Sequence, residues 1–240
     1  TLYHADQTVI ADILDRLQRG ECLVGREARL VAKDGSIKHV AIHSSVYAEG
    51  EKFGHTRCFT IDISQQKQIE ELSHERATLA AFTAAAGLFL TAGGSLAKRL
   101  DDVASEAVSQ LEIAAVQVWG CADGGKRLVM LAGAGASIDS NDSSASPSIA
   151  VGEGPVGAVA ADKRPLNLLD SHDAWRSFAA EGMARHGIKS FVGYPLLVAD
   201  RLVGVLAVYS EKPVSELLIT ALSSVVASMA MAIQLDRQNA

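Results

Sequence analysis

The sequence predicts an α+β protein in which antiparallel strands joined by short turns alternate with long helices. Three observations carry this. Apolar residues recur at helical spacing in some stretches and alternate in others. Asp34-Gly35 and Asp123-Gly124-Gly125 fall between neighbouring strand-like stretches, where hairpins need residues that tolerate tight turns. Two long stretches, 65–90 and 215–236, read as single long helices.

In order along the chain, Val9, Ile10, Ile13, Leu14 and Leu17 predict an amphipathic helix over 5–19, stopped by Gly20. Three strands follow, over 22–31, 37–46 and 53–63, with Val40, Ile42 and Ser44 on one face. Asp62 and Ser64 offer oxygens to the orphan N–H groups of a helix over 65–90. Its first half is charged, with Ile69, Leu72 and Leu79 in a heptad-like step, and its alanine-rich second half predicts burial. Gly93-Gly94 breaks the chain, and Ser95 caps a helix to 111 with Leu96, Leu100, Val103, Ala107 and Val108 inward.

Strands are expected over 114–119 and 127–133. The stretch 135–148, with Ser137, Ser140, Ser143, Ser144, Ser146 and Ser148, predicts a mobile surface loop. Then come a short strand over 149–151, a short helix from Glu153-Gly154-Pro155 to 161, a strand over 166–168 and a helix over 173–185 ending at Gly187. Strands over 189–198 and 202–209, joined at 199–201, are apolar on both faces, so both faces need cover. The helix over 215–236 turns Leu218, Leu222, Val225, Val226, Met229 and Ile233 inward.

Bulk properties narrow the function. A net charge of −6 and a pI of about 5.6 disfavour a nucleic-acid partner, which wants a basic face. No apolar run is expected to reach the roughly 18 residues a bilayer requires; the longest candidate, 80–92, is interrupted by Thr83, Gly87 and Thr91. No signal peptide opens the chain, and its start at Thr1 suits a fragment of a longer one. Cys22, Cys58 and Cys121 are odd in number, far apart and free of C-x-x-C spacing, which argues against a disulfide framework or a zinc site. A cytoplasmic protein with no membrane segment of its own is expected.

Residues 21–68 resemble the C-terminal half of a PAS domain, the PAC motif. The matching text is Glu27-Ala28-Arg29-Leu30-Val31, Lys33-Asp34-Gly35-Ser36-Ile37-Lys38-His39-Val40 and His55-Thr56-Arg57-Cys58-Phe59-Thr60-Ile61-Asp62-Ile63-Ser64, closing with Lys67. The front half of that family is missing, so no cofactor is assigned. Residues 80–235 resemble a GAF domain through Gly187-Ile188-Lys189-Ser190, Tyr194-Pro195-Leu196-Leu197-Val198 and Leu202-Val203-Gly204-Val205-Leu206-Ala207-Val208-Tyr209-Ser210. Gly152-Glu153-Gly154-Pro155-Val156-Gly157 followed by Lys163-Arg164-Pro165-Leu166 is similar to that family's mid-domain segment.

These resemblances imply a partial PAS domain over 1–64, a connecting signalling helix over 65–90 and a GAF domain over 80–236 ending in an output helix. They imply a central antiparallel GAF-like sheet with N- and C-terminal helices on one face, and a ligand pocket on the other under 150–188. A three-stranded antiparallel partial PAS sheet precedes it. Such tandems are similar to the sensor regions of bacterial histidine kinases and other signalling enzymes. The implied role is sensing or relay in a homodimer paired through helices 65–90 and 215–236. A catalytic module would follow residue 240.

The pattern Gly152-x-Gly154-x-x-Gly157 fits a dinucleotide fingerprint on paper. Pro155 removes an N–H and no parallel sheet surrounds it, so a tight turn into a short helix is favoured. His39 and His43 share a strand face and read as surface side chains. His172, beside Asp170 and Asp173, stands near the implied pocket rim. The pocket candidates are His172, Trp175, Phe178, Arg185, Phe191 and Tyr194, with Asp170 and Lys189 as further polar groups. The competing reading is that the aromatics only fill the core.

The stretch 175–186 holds no bilin-linking cysteine, and the cyclic-nucleotide signature N-K-x-F-D-E is absent, so the cofactor stays unknown. Cys121 lacks a partner thiol within the GAF-like part, which disfavours a sulfoxide reductase of similar fold. No catalytic or metal-binding residue is assigned. The rival readings are a spacer that only dimerises and, further off, a redox enzyme.

Overall fold

The computed structural model describes residues 5–49, 52–136, 148–169 and 186–239. Nearly all of the serine-rich stretch and the whole of the expected helix 173–185 lie outside them. The chain divides into two compact units, Thr1–Glu75 and Arg76–Ala240.

In the first unit, α1 (Gln7–Gln18) covers a three-stranded antiparallel sheet of order β1-β2-β3, where β1 is Leu23–Val31, β2 is Ile37–Glu49 and β3 is Lys52–Asp62. Alternation along β2 buries Val40, Ile42 and Ser44, and with Leu23 and Ala28 of β1 they pack against Ile13 and Leu17 of α1. The β1–β2 turn works because Gly35 holds φ +83° and the Ser36 N–H donates to Asp34 Oδ1 at 2.9 Å. At the same end of the sheet, Asp62 Oδ1 accepts from the Ser64 N–H, and Ser64 Oγ accepts from the His39 N–H, both at 2.9 Å. Lys67, one turn into α2 (Ser64–Thr91), pairs with Glu27 of β1 at 2.8 Å. The Asp-Ile-Ser-x-x-Lys run thus fastens the start of α2 to the sheet.

Hydrogen bonds hold four carboxylates of this unit below their usual range. The principal donors are Arg29 to Asp6, Arg16 to Glu21, the Ser36 side chain to Asp34 and the Ser64 side chain to Asp62. A carboxylate with a depressed folded pKa adds stability above its unfolded pKa and loses it as pH falls through the folded value. The melting temperature is therefore expected to be flat from neutral pH to about 5 and to drop below about 4. Melts across that range check this, and Arg16→Gln/Arg29→Gln should soften the acid limb.

In the second unit, Leu79, Phe82, Ala86 and Leu90 recur on one face of α2 and are buried. Ser95 caps α3 (Leu96–Leu111) by accepting from the Lys98 N–H at 3.3 Å. The strands are β4 (Ala115–Ala122), β5 (Arg127–Gly135), β6 (Ser148–Ala150), β7 (Leu166–Leu169), β8 (Ser190–Val198) and β9 (Arg201–Ser210). They form one antiparallel sheet of order β6-β5-β4-β9-β8-β7. The inner faces of α2, α3 and α5 (Glu216–Asn239) pack on one side of it, over Val116, Val118, Val192, Leu206 and Val208. The short helix α4 (Gly154–Asp162) packs on the other side. Both faces of β8 and β9 are covered, as their apolar runs require.

The β8–β9 hairpin is joined by Ala199 and Asp200, with φ +46° and +62° and Val198 opposite Arg201. Two successive positive φ values make the turn that matches strand twist, and alanine fits the first of them poorly. Ala199→Asn is expected to stabilise the chain by about 1 kcal/mol, read from the urea midpoint.

Candidate functional site

The sheet face under α4 carries an aromatic–amide cluster. Alternation along β4 turns Ala115, Gln117, Trp119 and Cys121 to this face, and Val116 and Val118 to the helices. Registry sets Tyr209 of β9 opposite Ala115, and Phe191 of β8 opposite Tyr209. Gln117, Trp119, Phe191 and Tyr209 are all buried. The Trp119 indole N–H donates to Gln117 Oε1 at 3.2 Å, and the Tyr209 hydroxyl donates to the same oxygen at 3.1 Å. Two donors on one carbonyl oxygen use both its lone pairs and fix the plane of the amide. The Phe191 and Tyr209 rings lie 5.3 Å apart, tilted by 60°.

Glycines make the close packing possible. A Cβ on Gly204 would stand 2.1 Å from the Trp119 carbonyl oxygen, and one on Gly193 would meet Val159 of α4 and the Phe191 ring. Val156, Val159 and Ala160 of α4, with Leu168 and Ile188, complete the apolar surround. The arrangement holds no nucleophile–base pair. It is a buried aromatic cluster ordered by one amide and packed beneath α4.

Of the six pocket candidates, His172, Trp175, Phe178 and Arg185 lie outside the described residues, as does Asp170. Phe191 joins the cluster. Tyr194 does not: three residues along β8 from Phe191, it turns to the opposite face. It packs under the helices and donates its hydroxyl to the Ile219 carbonyl oxygen of α5 at 2.8 Å. Burial pushes its phenol pKa up. Lys189 is exposed. Gln117, Trp119 and Tyr209 were missed, although a lone glutamine two residues before a tryptophan in an otherwise apolar strand was a readable signal.

The glycine motif forms a turn. The Gly152 N–H donates to the Gly157 carbonyl oxygen at 2.9 Å, Pro155 enters α4, and a Cβ on Gly157 would meet the Ala150 carbonyl oxygen at 2.5 Å. Cys121 is half-buried. Burial raises its thiol pKa, against the opposing pull of Arg237, Arg201 and Lys163, which leaves the group mostly protonated and weakly nucleophilic near neutral pH. Among the described residues, no three His, Cys, Asp or Glu side chains gather as metal ligands would.

A family model for the GAF domain matches residues 95–234. No curated protein matches the chain in sequence. Among solved structures, it is similar to the GAF domain of a phosphoenolpyruvate-protein phosphotransferase from Coxiella burnetii, at 19% identity and a TM-score of 0.57. That match covers 68% of this chain and 97% of that one. It is similar to the A. aeolicus nlh2 GAF domain in an inactive state, at 18% identity and a TM-score of 0.54, covering 66% and 97%. It is also similar to the free methionine-R-sulfoxide reductase of Neisseria meningitidis in complex with its substrate. There the identity is 16% and the TM-score 0.56, covering 69% and 94%. At these identities the likeness establishes the fold.

Proposed function

Because the chain belongs to the GAF domain family through residues 95–234, we propose that it is the sensory and regulatory segment of a bacterial signalling protein of histidine-kinase type. In this reading the first unit is a PAS-like half-domain, and the GAF unit pairs with a second copy through α2 and α5. A small molecule bound on the α4 side of the sheet shifts it, and the helices packed on its reverse face carry the shift onward.

The supporting observation is the outer face of those helices. Residues 77–91 of α2 and 217–235 of α5 contain no charged side chain. Their outward positions are small or apolar, including Ala84, Gly87, Ala227 and Ser228, and Leu88 is 72% exposed. Gly87, Thr91, Ala227, Met231 and Leu235 line one groove between the two helices. A single chain leaves this surface in water, and small residues let a second helix pair approach closely. Against the sequence expectation that no apolar run is long enough for a bilayer, an 18-residue window of α5 reaches a mean hydropathy of 1.8, apolar enough by composition to cross a membrane. We read that as a helix with its inner face in the core and its outer face on a partner, in a cytoplasmic protein.

An enzymatic role is disfavoured. Cys121 is the sole cysteine of the second unit, so no disulfide can form within that unit to resolve an oxidised thiol. The net charge of −6 disfavours nucleic acid as partner. Native mass spectrometry with sedimentation equilibrium tests the reading: a dimer at micromolar concentration is expected. A strict monomer across that range would overturn the helix relay.

A further inference from the structure

A second concavity, of about 610 Å³, opens at the end of the sheet where β4 finishes and β9 begins. Three cations from three separate elements converge on it. Lys163 ends α4, Arg201 opens β9 and Arg237 stands in the last turn of α5. The 3₁₀ turn Asp123–Gly125 forms another wall, and Asp123 is its one acidic side chain.

None of the three cations makes an ion pair with a carboxylate among the described residues. The Arg237 guanidinium donates to the Cys121 carbonyl oxygen at 2.6 Å, and the Lys163 ammonium donates to the Asp200 carbonyl oxygen at 3.4 Å. Those bonds aim the groups without neutralising them. Lys163 also holds φ +52° at the helix C-cap, a conformation that glycine adopts without strain. Three cations against the single carboxylate of Asp123 leave a net positive potential in this concavity.

We propose that this concavity is an anion-binding site, taking a small molecule that carries phosphate or carboxylate groups between Lys163, Arg201 and Arg237. The volume lies within the range of small-molecule pockets and exceeds the needs of a single phosphate, so the ligand class is an organic polyanion. The site adjoins the aromatic–amide cluster, sharing Ala160 and Cys121 with its surround, and does not depend on helix pairing. Cys121 lines it and serves as a built-in reporter.

The test uses the full chain with Cys22→Ser and Cys58→Ser, both exposed positions, so that Cys121 is the sole thiol. Its modification is timed with a dianionic and a neutral aromatic disulfide, with and without pyrophosphate or citrate. Sodium chloride at matched ionic strength is the control. Expected are saturable protection by pyrophosphate, by citrate or by both, and a rate preference for the dianionic reagent that falls roughly five- to tenfold in Lys163→Gln/Arg201→Gln. Protection should vanish in that variant. Thermal melts supply a second readout: the protecting anion should raise the melting temperature of the parent and not of the variant. Stronger protection by pyrophosphate assigns a phosphate ligand, and by citrate a carboxylate. Protection matched by chloride, protection that survives the double substitution, or no effect of either anion on rate or melting overturns the proposal.

Discussion

Placing glutamate at both Met231 and Leu235 is expected to turn the proposed dimer into a monomer, with the dissociation constant rising at least about 100-fold. The two side chains are 49% and 53% exposed on a single chain and lie one helical turn apart on the outer face of α5. In a two-fold interface each substitution counts twice, because the same patch serves both subunits. Losing the burial of a large apolar side chain costs about 1.5–3 kcal/mol, and desolvating a carboxylate without a partner adds to it. Each 1.4 kcal/mol is about tenfold in affinity, so the estimate is a lower bound. The fold should be preserved, since neither residue belongs to the buried stripe Leu218, Leu222, Val225, Met229 and Ile233, while the melting temperature should lose its dependence on protein concentration. Ser105→Glu on the exposed side of α3 is the control and should leave the association constant unchanged. A double variant that still sediments as a dimer would remove α5 from the interface.

The elements on which these expectations rest were largely legible in the sequence. Val40, Ile42 and Ser44 on one side of β2, and the inner stripe of α5, follow from periodicity, because one face of each must be buried. Turns were legible where the chemistry is local, as at Asp34-Gly35. Ala199-Asp200 is the harder case: neither residue advertises a positive φ, and only the pairing of β8 with β9 forces it. The site was legible only in part. Phe191 was found because it is aromatic. Tyr194 was grouped with it for the same reason, yet an odd spacing along a strand sends the two to opposite faces, one to the cluster and one to α5. Gln117 was passed over because a glutamine within a strand looks like a solvent-facing residue. Its role depends on Tyr209, which the chain brings near only through the β4–β9 pairing. The basic concavity was invisible for a related reason, as Lys163, Arg201 and Arg237 stand far apart in sequence on three different elements.

Gln117→Leu is expected to destabilise the second unit by about 2–4 kcal/mol, although leucine is close to glutamine in volume and leaves little cavity. The cost arises in the residues that remain. The Trp119 indole N–H and the Tyr209 hydroxyl both lose the oxygen they share, at a place where both side chains are fully enclosed. A buried donor left without an acceptor costs about 1–3 kcal/mol, more than the net worth of the hydrogen bond it once made. Gln117→Leu/Tyr209→Phe removes one of the two donors together with the acceptor, so it should recover part of that loss, about 1 kcal/mol, relative to Gln117→Leu alone. The urea midpoints of the four proteins in this cycle separate the two accounts. If Gln117 merely fills space, the single substitution is close to neutral and the second adds its own loss. If it is the acceptor that orders the aromatic cluster, the pair is strongly non-additive. The same cycle bears on the relay, because Val116 and Val118, on either side of Gln117 in β4, carry the packing of the terminal helices on the reverse face. A loosened amide should therefore weaken helix pairing as well as stability, and the dissociation constant of Gln117→Leu should rise with no substitution made on α2 or α5.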